Sequence, residues 1–255
     1  MKKKFILNLA DFISIFWRII PFKLREFIFT SFFILESRDK KTKRGLSRIF
    51  YIKDKLEWII NERAIFYGKG IHPKHRLTNY HQFFIDRIKN GETVLDVGCG
   101  NGAVAIDVAI ARPKSNITGI DINKESIIFA KKLKETNNLI NINFSVGNII
   151  DKKNINADIV ILSNVLEHIE NRSAFLEGII SNTGAKVFLI RVPLFERDWQ
   201  ISLRKELGIY FYSDLDHEIE HTVKEFKTEM NNVNLRIKEL NTIWGEIWAR
   251  CEYGT

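Results

Sequence analysis

"VLDVGCGNG" at residues 94–102 decides how the rest of this chain is read. An apolar strand pattern from Val94 to Val97 runs into Gly98, Gly100 and Gly102. Such glycines let a backbone turn sharply and approach a ligand where any Cβ would clash. Dinucleotide-binding folds use a similar turn, so the nonapeptide alone leaves the ligand open. Downstream, "NITGID", "INFSVGN", "ADIVILSN" and "KVFLIRVP" alternate with the helical patterns "KESIIFAKKLKETNN" and "SAFLEGII". That alternation predicts an α/β fold with a doubly wound, mostly parallel sheet. "LRIKELNTIW" and "EIWARCEYG", joined tightly near Gly245, add an antiparallel hairpin and bring the sheet to seven strands. Between them and the fifth strand, Thr222 and Glu225 form a capping-box pair that starts a helix.

Ligands in such sheets bind at the carboxyl ends of the strands. Asp96 and the glycine turn belong to that end, as does Asp121 in "GIDIN", a carboxylate placed to accept ribose hydroxyl hydrogens. "GNI" (147–149) and "SNVLEHIE" (163–170) end the third and fourth strands. In this order and spacing the motifs resemble the class I S-adenosylmethionine-dependent methyltransferases, over roughly residues 70–253. The resemblance implies a Rossmann-like methyltransferase fold with S-adenosylmethionine as cofactor. It implies that Gly98, Cys99, Gly100 and Asn101 line the methionine part, with Asp96 as the acidic residue of the loop. Asp121 would bind the ribose, Ile122 and Ile149 would pack on the adenine, Asn148 would hold its edge, and Asn164 would close the site. Many relatives carry aspartate where this chain has Asn148, which weakens the expected hydrogen bond.

Methyl transfer from a sulfonium is an in-line displacement, mainly a task of orientation, and an alcohol acceptor also benefits from a general base. His168 at the mouth of the site is the first candidate base, and His217 the second. "HEIEH" (217–221) matches the zinc-protease pattern formally, but it precedes the helix cap at Thr222 instead of lying within a helix. The stretch after the fifth strand is similar in position to the acceptor lid of small-molecule methyltransferases, and that resemblance implies Trp199, Tyr210, Tyr212, His217 and His221 as acceptor-side residues of a lid around residues 195–222. In "HPKHRLTNYH" (72–81) no thiolate accompanies the histidines and Pro73 spoils helical spacing, so no metal is assigned. An anion clamp fits better: Arg76, with Tyr80, reaches the cofactor carboxylate, while His72, Lys74 and His75 face an anionic acceptor.

The net charge of +8 is uneven: residues 1–76 hold 18 Lys and Arg against 7 Asp and Glu, and residues 77–255 hold 21 against 24. Residues 5–35 are densely apolar with Arg18, Lys23 and Arg25 interspersed, and Pro21 should divide them into two helices. Two uses stand for this pair: lying in a membrane interface, or packing on the chain's own domain or a second copy as a homodimer. Residues 36–48 read as a basic polar connector. The expected organisation is an extension at 1–48, a helical cap over the cofactor site at 49–92, and the core at 93–255. No segment reaches the roughly 20 apolar residues of a membrane span. Asp11 interrupts the signal-like start, and Cys99 and Cys251 form no framework, so the chain is read as cytoplasmic, or peripheral to the inner face of a membrane.

Neither an Asn-Pro-Pro-Tyr-like sequence nor aromatic residues interleaved with the basic ones support a nucleic-acid partner. "YGKGIHPKHRLTNYHQFF" with "VLEHIE" looks like methyltransferases of bacterial surface-polysaccharide pathways. That likeness suggests O-methylation of a sugar, a nucleotide-linked or a phosphorylated precursor, with a capsular phosphoramidate group as one candidate. N-methylation and a catalytically silent binding or assembly subunit are the competing readings.

Overall fold

The computed structural model describes residues 2–69, 72–152 and 155–254, which divide into a unit at 1–70 and a unit at 71–255. The first unit is three helices: α1 (Lys2–Trp17), α2 (Phe22–Ser37) and α3 (Thr42–Tyr67). The break at Pro21 falls where its missing amide requires it, and Pro21 caps α2. The expected connector and the boundary after residue 48 are corrected. Residues 42–48 are the first turns of a 26-residue helix, α3, and Asp39 organises the turn before it. Its carboxylate accepts from Arg44 Nε at 2.6 Å and from the Lys41 amide at 2.8 Å. Basic residues there serve the turn, and nothing about Lys and Arg opposes helix.

In the second unit α4 (Lys74–Thr78) and α5 (Tyr80–Ile85) precede the sheet. Its strands are β1 (Thr93–Val97), β2 (Asn116–Asp121), β3 (Ile142–Val146), β4 (Ile159–Ser163), β5 (Val187–Pro193), β6 (Leu235–Ile243) and β7 (Glu246–Tyr253). The spatial order is β3-β2-β1-β4-β5-β7-β6, in which β1 to β5 pair in parallel and β7 pairs antiparallel with both β5 and β6. The expected fold class is thus observed, including the hairpin that turns at Gly245.

Period-two packing explains why β1 reads as a continuous apolar run. Leu95 and Val97 face one core layer with Val160, Leu162 and Phe188, while Val94 faces the other with Ile117, Ile142 and Ile159. Both faces are covered by helices, including α6 (Ala103–Ala111), α7 (Lys124–Thr136), α8 (Arg172–Thr183) and α10 (Val223–Asn232). Fully burying each such aliphatic side chain contributes roughly 1.5–3 kcal/mol. One edge of the sheet is β6, and Arg236, Lys238 and Glu239 keep it charged. A capping box at Thr222 and Glu225 starts α10 as expected. Helix α9 (Trp199–Leu207) and an irregular run to Thr222 lie between β5 and α10.

Candidate active site

At the carboxyl ends of β1 and β4 the second unit opens into a cleft of about 350 Å³. Its floor begins with the glycine turn. The amides of Gly98 and Cys99 both donate to the Ile120 carbonyl, at 2.8 and 3.1 Å, which bends the chain away from β1. Gly98 has φ +66°, and a Cβ there would sit 2.6 Å from a Val165 methyl. Gly100 has φ +53°, and a Cβ there would meet nothing, so its open side faces space a ligand can fill. Asp121 shapes this turn from β2: Oδ2 accepts the Gly100 amide at 2.8 Å and Oδ1 the Asn123 amide at 2.7 Å. Each oxygen keeps a further lone pair.

Asp96 lies beneath the turn, buried, with Oδ2 lacking any partner. Burial, reinforced by the charge of Asp121, pushes its carboxyl up to about 8. Asn164 ends β4 with φ +57°, and its Oδ1 is also buried without a partner. The cleft floor therefore carries two buried polar atoms without a partner, Asp96 Oδ2 and Asn164 Oδ1, an arrangement that fits a ligand rich in ammonium and hydroxyl groups. The cofactor implied by the resemblance, with its ammonium, sulfonium and ribose, passes that test.

Beyond Asn164, a short 3-10 turn (Leu166–His168) carries Glu167, which is 0% exposed with neither carboxylate oxygen hydrogen-bonded. Burial pushes it up to about 7. His168 beside it is exposed, and its ring stands edge-on to that of His217 with centroids 4.8 Å apart. His168 Nδ1 lies 3.2 Å from Asp216, and His217 Nδ1 lies 3.2 Å from Glu220. Glu220 is in turn gripped by Arg197 and by Ser213. Burial alone would lower the His217 imidazole, but the Glu220 hydrogen bond and the nearby Glu167 outweigh it and raise it.

The opposite wall is built on Arg191 of β5. Its guanidinium makes a bidentate pair with Glu246 of β7 at 2.6 and 2.9 Å, donates to Ser163 at 3.0 Å, and stacks 3.7 Å above the Tyr80 ring. Tyr80 OH meets His75 Nδ1 at 2.8 Å. Burial and then the neighbouring His81, Lys74 and Arg191 charges push His75 down to about 4, so it is neutral near pH 7.

Of the residues the sequence singles out, Lys74, His75, Tyr80, Asp96, Gly98, Cys99, Gly100, Asn101, Asn164, His168 and His217 line this one cleft. Others are elsewhere. Arg76 is exposed and outside it, and Arg191 supplies the guanidinium there instead. His72 turns back to accept the Lys74 amide, 3.1 Å away. Ile122 is 78% exposed beyond β2, whereas Ile149 is 2% exposed within the core and offers an adenine no surface. Asn148 uses Oδ1 to cap the turn at Ile150, at 3.1 Å. Trp199 is 70% exposed on α9. Tyr210 and Tyr212 donate to the carbonyls of Asp214 and Glu218, closing the irregular segment upon itself. His221 is 0% exposed, with Nε2 3.2 Å from Glu229, because it packs under α10 against Phe226.

Glu167, Arg191 and Asp214 line the cleft but escape the sequence reading. Two of the three, Glu167 and Arg191, carry a signal. Glu167 follows the buried pair Val165 and Leu166, and Arg191 interrupts the apolar strand "VFLIRVP"; a charge among buried neighbours needs a partner or a ligand.

A family model described as a methyltransferase domain matches residues 88–250. Over 100 residues the chain is 29% identical to the probable (S)-tetrahydroprotoberberine N-methyltransferase 2 of Papaver bracteatum, covering 38% of this chain and 28% of that one. It is 26% identical over 154 residues to the ribosomal protein L11 methyltransferase of Thermotoga petrophila, covering 56% of each. The chain thus spans 28% and 56% of the lengths of these relatives. Among solved structures, magnesium protoporphyrin IX methyltransferase from Synechocystis PCC 6803 with bound SAH is similar with a TM-score of 0.58 at 19% identity, over 74% of this chain and 88% of that one.

Proposed function

This chain belongs to the class I S-adenosylmethionine-dependent methyltransferases, and on that premise we propose that it moves a methyl group to an oxygen of a small hydroxyl-bearing acceptor. S-adenosylmethionine supplies the electrophilic methyl on a sulfonium. The glycine turn, Asp96 and Asp121 would hold it, and Asn164 would bound its reacting end. Relatives named for N-methylation, for ribosomal protein methylation and for magnesium protoporphyrin IX methylation do not choose the acceptor atom.

Oxygen is favoured by one observation: a wholly buried Glu167 stands beside two imidazoles in the cleft. A neutral amine attacks a methyl without help, whereas an alcohol must lose its proton, and this cluster can take or stabilise that proton's loss. Lys74 on the wall offers a counter-charge to phosphate. Sugars, nucleotide-linked sugars and phosphorylated precursors, including those of surface polysaccharides, are the acceptors to screen. Release of S-adenosylhomocysteine with such hydroxyl acceptors supports the reading; release with amines only would overturn it. Cofactor binding without turnover on any acceptor would favour a silent assembly subunit.

For the first unit we infer contact with an anionic membrane surface. Phe12, Phe16, Ile19, Phe22, Phe27 and Phe32 are exposed, and α2 buries no residue. Arg18, Lys23 and Arg25 lie among them. Among the described residues no helix is long and apolar enough to cross a membrane. Apolar side chains interspersed with cations suit the interface of an anionic bilayer.

A further inference from the structure

We propose that Glu167, His168 and His217 form a binding site for a divalent first-row transition ion that holds the acceptor's oxygens. Each of the three offers a ligand atom, and these atoms lie within 4.8 Å of one another. Two imidazoles and a carboxylate are a donor set for zinc, cobalt or manganese more than for magnesium.

Proximity alone would not carry the assignment, but two further features point to a cation. Glu167 is wholly buried and lines the cleft, and neither oxygen makes a well-formed hydrogen bond, although its own amide and the Asn164 side chain approach it as donors and His217 and Arg191 face it as cations. A carboxylate is rarely placed so unless something positive meets it. Both imidazoles are also held through Nδ1 by carboxylates, His168 by Asp216 and His217 by Glu220, each at 3.2 Å. Metal-ligating histidines are commonly oriented in this way, by a carboxylate on the ring nitrogen that does not bind the ion.

The ligands come from two places in the chain. Glu167 and His168 follow β4, while His217 belongs to the irregular segment before α10, so an ion would pin that segment to the sheet. Three protein ligands leave coordination positions for acceptor oxygens. With the ion in place the imidazoles are ligands and not bases. The acceptor hydroxyl then gives up its proton to a carboxylate, for which Asp214 on the cleft wall, itself exposed, is placed. This deepens the methyltransferase reading in naming the acceptor as an oxygen chelator, but ion binding itself does not depend on that reading.

The test is titration of Co²⁺, followed by its visible absorption, and of Zn²⁺ by calorimetry, into full-length protein stripped with a chelator. One equivalent per chain is expected, with affinity reduced about 100-fold in His168→Ala and about tenfold in Asp216→Asn. His168 and Asp216 are both exposed, so these variants keep the fold, which a cooperative melt verifies. A folded wild type that takes up neither ion overturns the site, as does unchanged uptake by His168→Ala and Glu167→Gln. Titrating S-adenosylmethionine into the same samples keeps the two readings separate. Cofactor binding without Co²⁺ or Zn²⁺ uptake sinks only the metal site, and the converse sinks only the methyltransferase reading.

Discussion

The carboxylate of Asp121, at the end of β2, accepts the backbone amide of Gly100, just past the end of β1, at 2.8 Å. One side chain thereby sets the shape of a turn twenty-one residues before it. Asp121→Ala should therefore do two kinds of damage. It leaves two backbone amides without their acceptor, costing about 1–3 kcal/mol of stability, and it lowers S-adenosylmethionine affinity at least about tenfold. Asp121→Asn keeps an acceptor and should recover most of the stability but less of the affinity. Melting curves and calorimetry on the two variants read the effects separately; equal affinity in all three proteins would remove Asp121 from the cofactor site.

Gly98 is constrained from outside as well as by its own backbone. Gly98→Ala places a methyl 2.6 Å from Val165 and holds alanine at φ +66°, for an expected loss of about 1–3 kcal/mol. Val165→Ala makes room for the methyl without relaxing φ. A double-mutant cycle by denaturant melts should show favourable coupling between the two; strict additivity would mean that the clash carries none of the cost.

Asp96 gives the ligand-free fold a particular pH dependence. Its folded value of about 8 stands above its ordinary 3.8, through burial and the facing Asp121 charge. Between those values the folded chain holds a proton that the unfolded chain releases. This group's contribution accordingly falls as pH rises from about 4 to about 8, by at most about 1.4 kcal/mol per unit, and is flat above. Asp96→Asn should abolish that slope. The difference between wild-type and variant stability at about pH 5 and about pH 8 isolates it, and a constant difference would contradict the assignment.

Breaking the Arg191–Glu246 pair from one side should be severe. Glu246→Gln or Arg191→Met strands a buried charge or its partner and is expected to cost about 3–5 kcal/mol. Arg191→Lys cannot reproduce the bidentate geometry and should recover only part of the loss. Denaturant unfolding of the three variants measures this, and a loss under about 1 kcal/mol would mean the pair is solvated.

If the exposed helices of the first unit meet anionic lipid, replacing Arg18, Lys23 and Arg25 by Glu in the full chain should sharply reduce sedimentation with phosphatidylserine vesicles. Added salt should weaken the wild-type interaction in the same direction. Absence of wild-type binding together with a dimeric mass in solution would instead assign this surface to a second copy of the chain.

What could be read in advance follows from the range over which each feature is encoded. Strands β1 to β5, the break at Pro21 and the Thr222–Glu225 cap are local patterns, and each appears where its pattern lies. The glycine turn was legible because Gly98 and Gly100 serve the backbone directly. Arg191 was not, since its partner Glu246 is 55 residues away and reaches it only because β7 runs antiparallel beside β5. The segment around Tyr210 and Tyr212 has no period to follow, and its rings close upon its own carbonyls. His221 reads as a site residue in the sequence because nothing local distinguishes a histidine under α10 from one in a cleft.

The insertion of β7 between β5 and β6 bears on the order in which the protein can take shape as it is made. β6 leaves the ribosome before the strand through which it joins the sheet, and must wait as half of an unformed hairpin. Until residues 246–253 follow, β5 presents a bare edge and Arg191 has no counter-ion. The glycine turn depends only on residues up to Asp121, whereas the opposite wall is completed last, and until then the unpaired edge of β5 is the surface most open to wrong pairing.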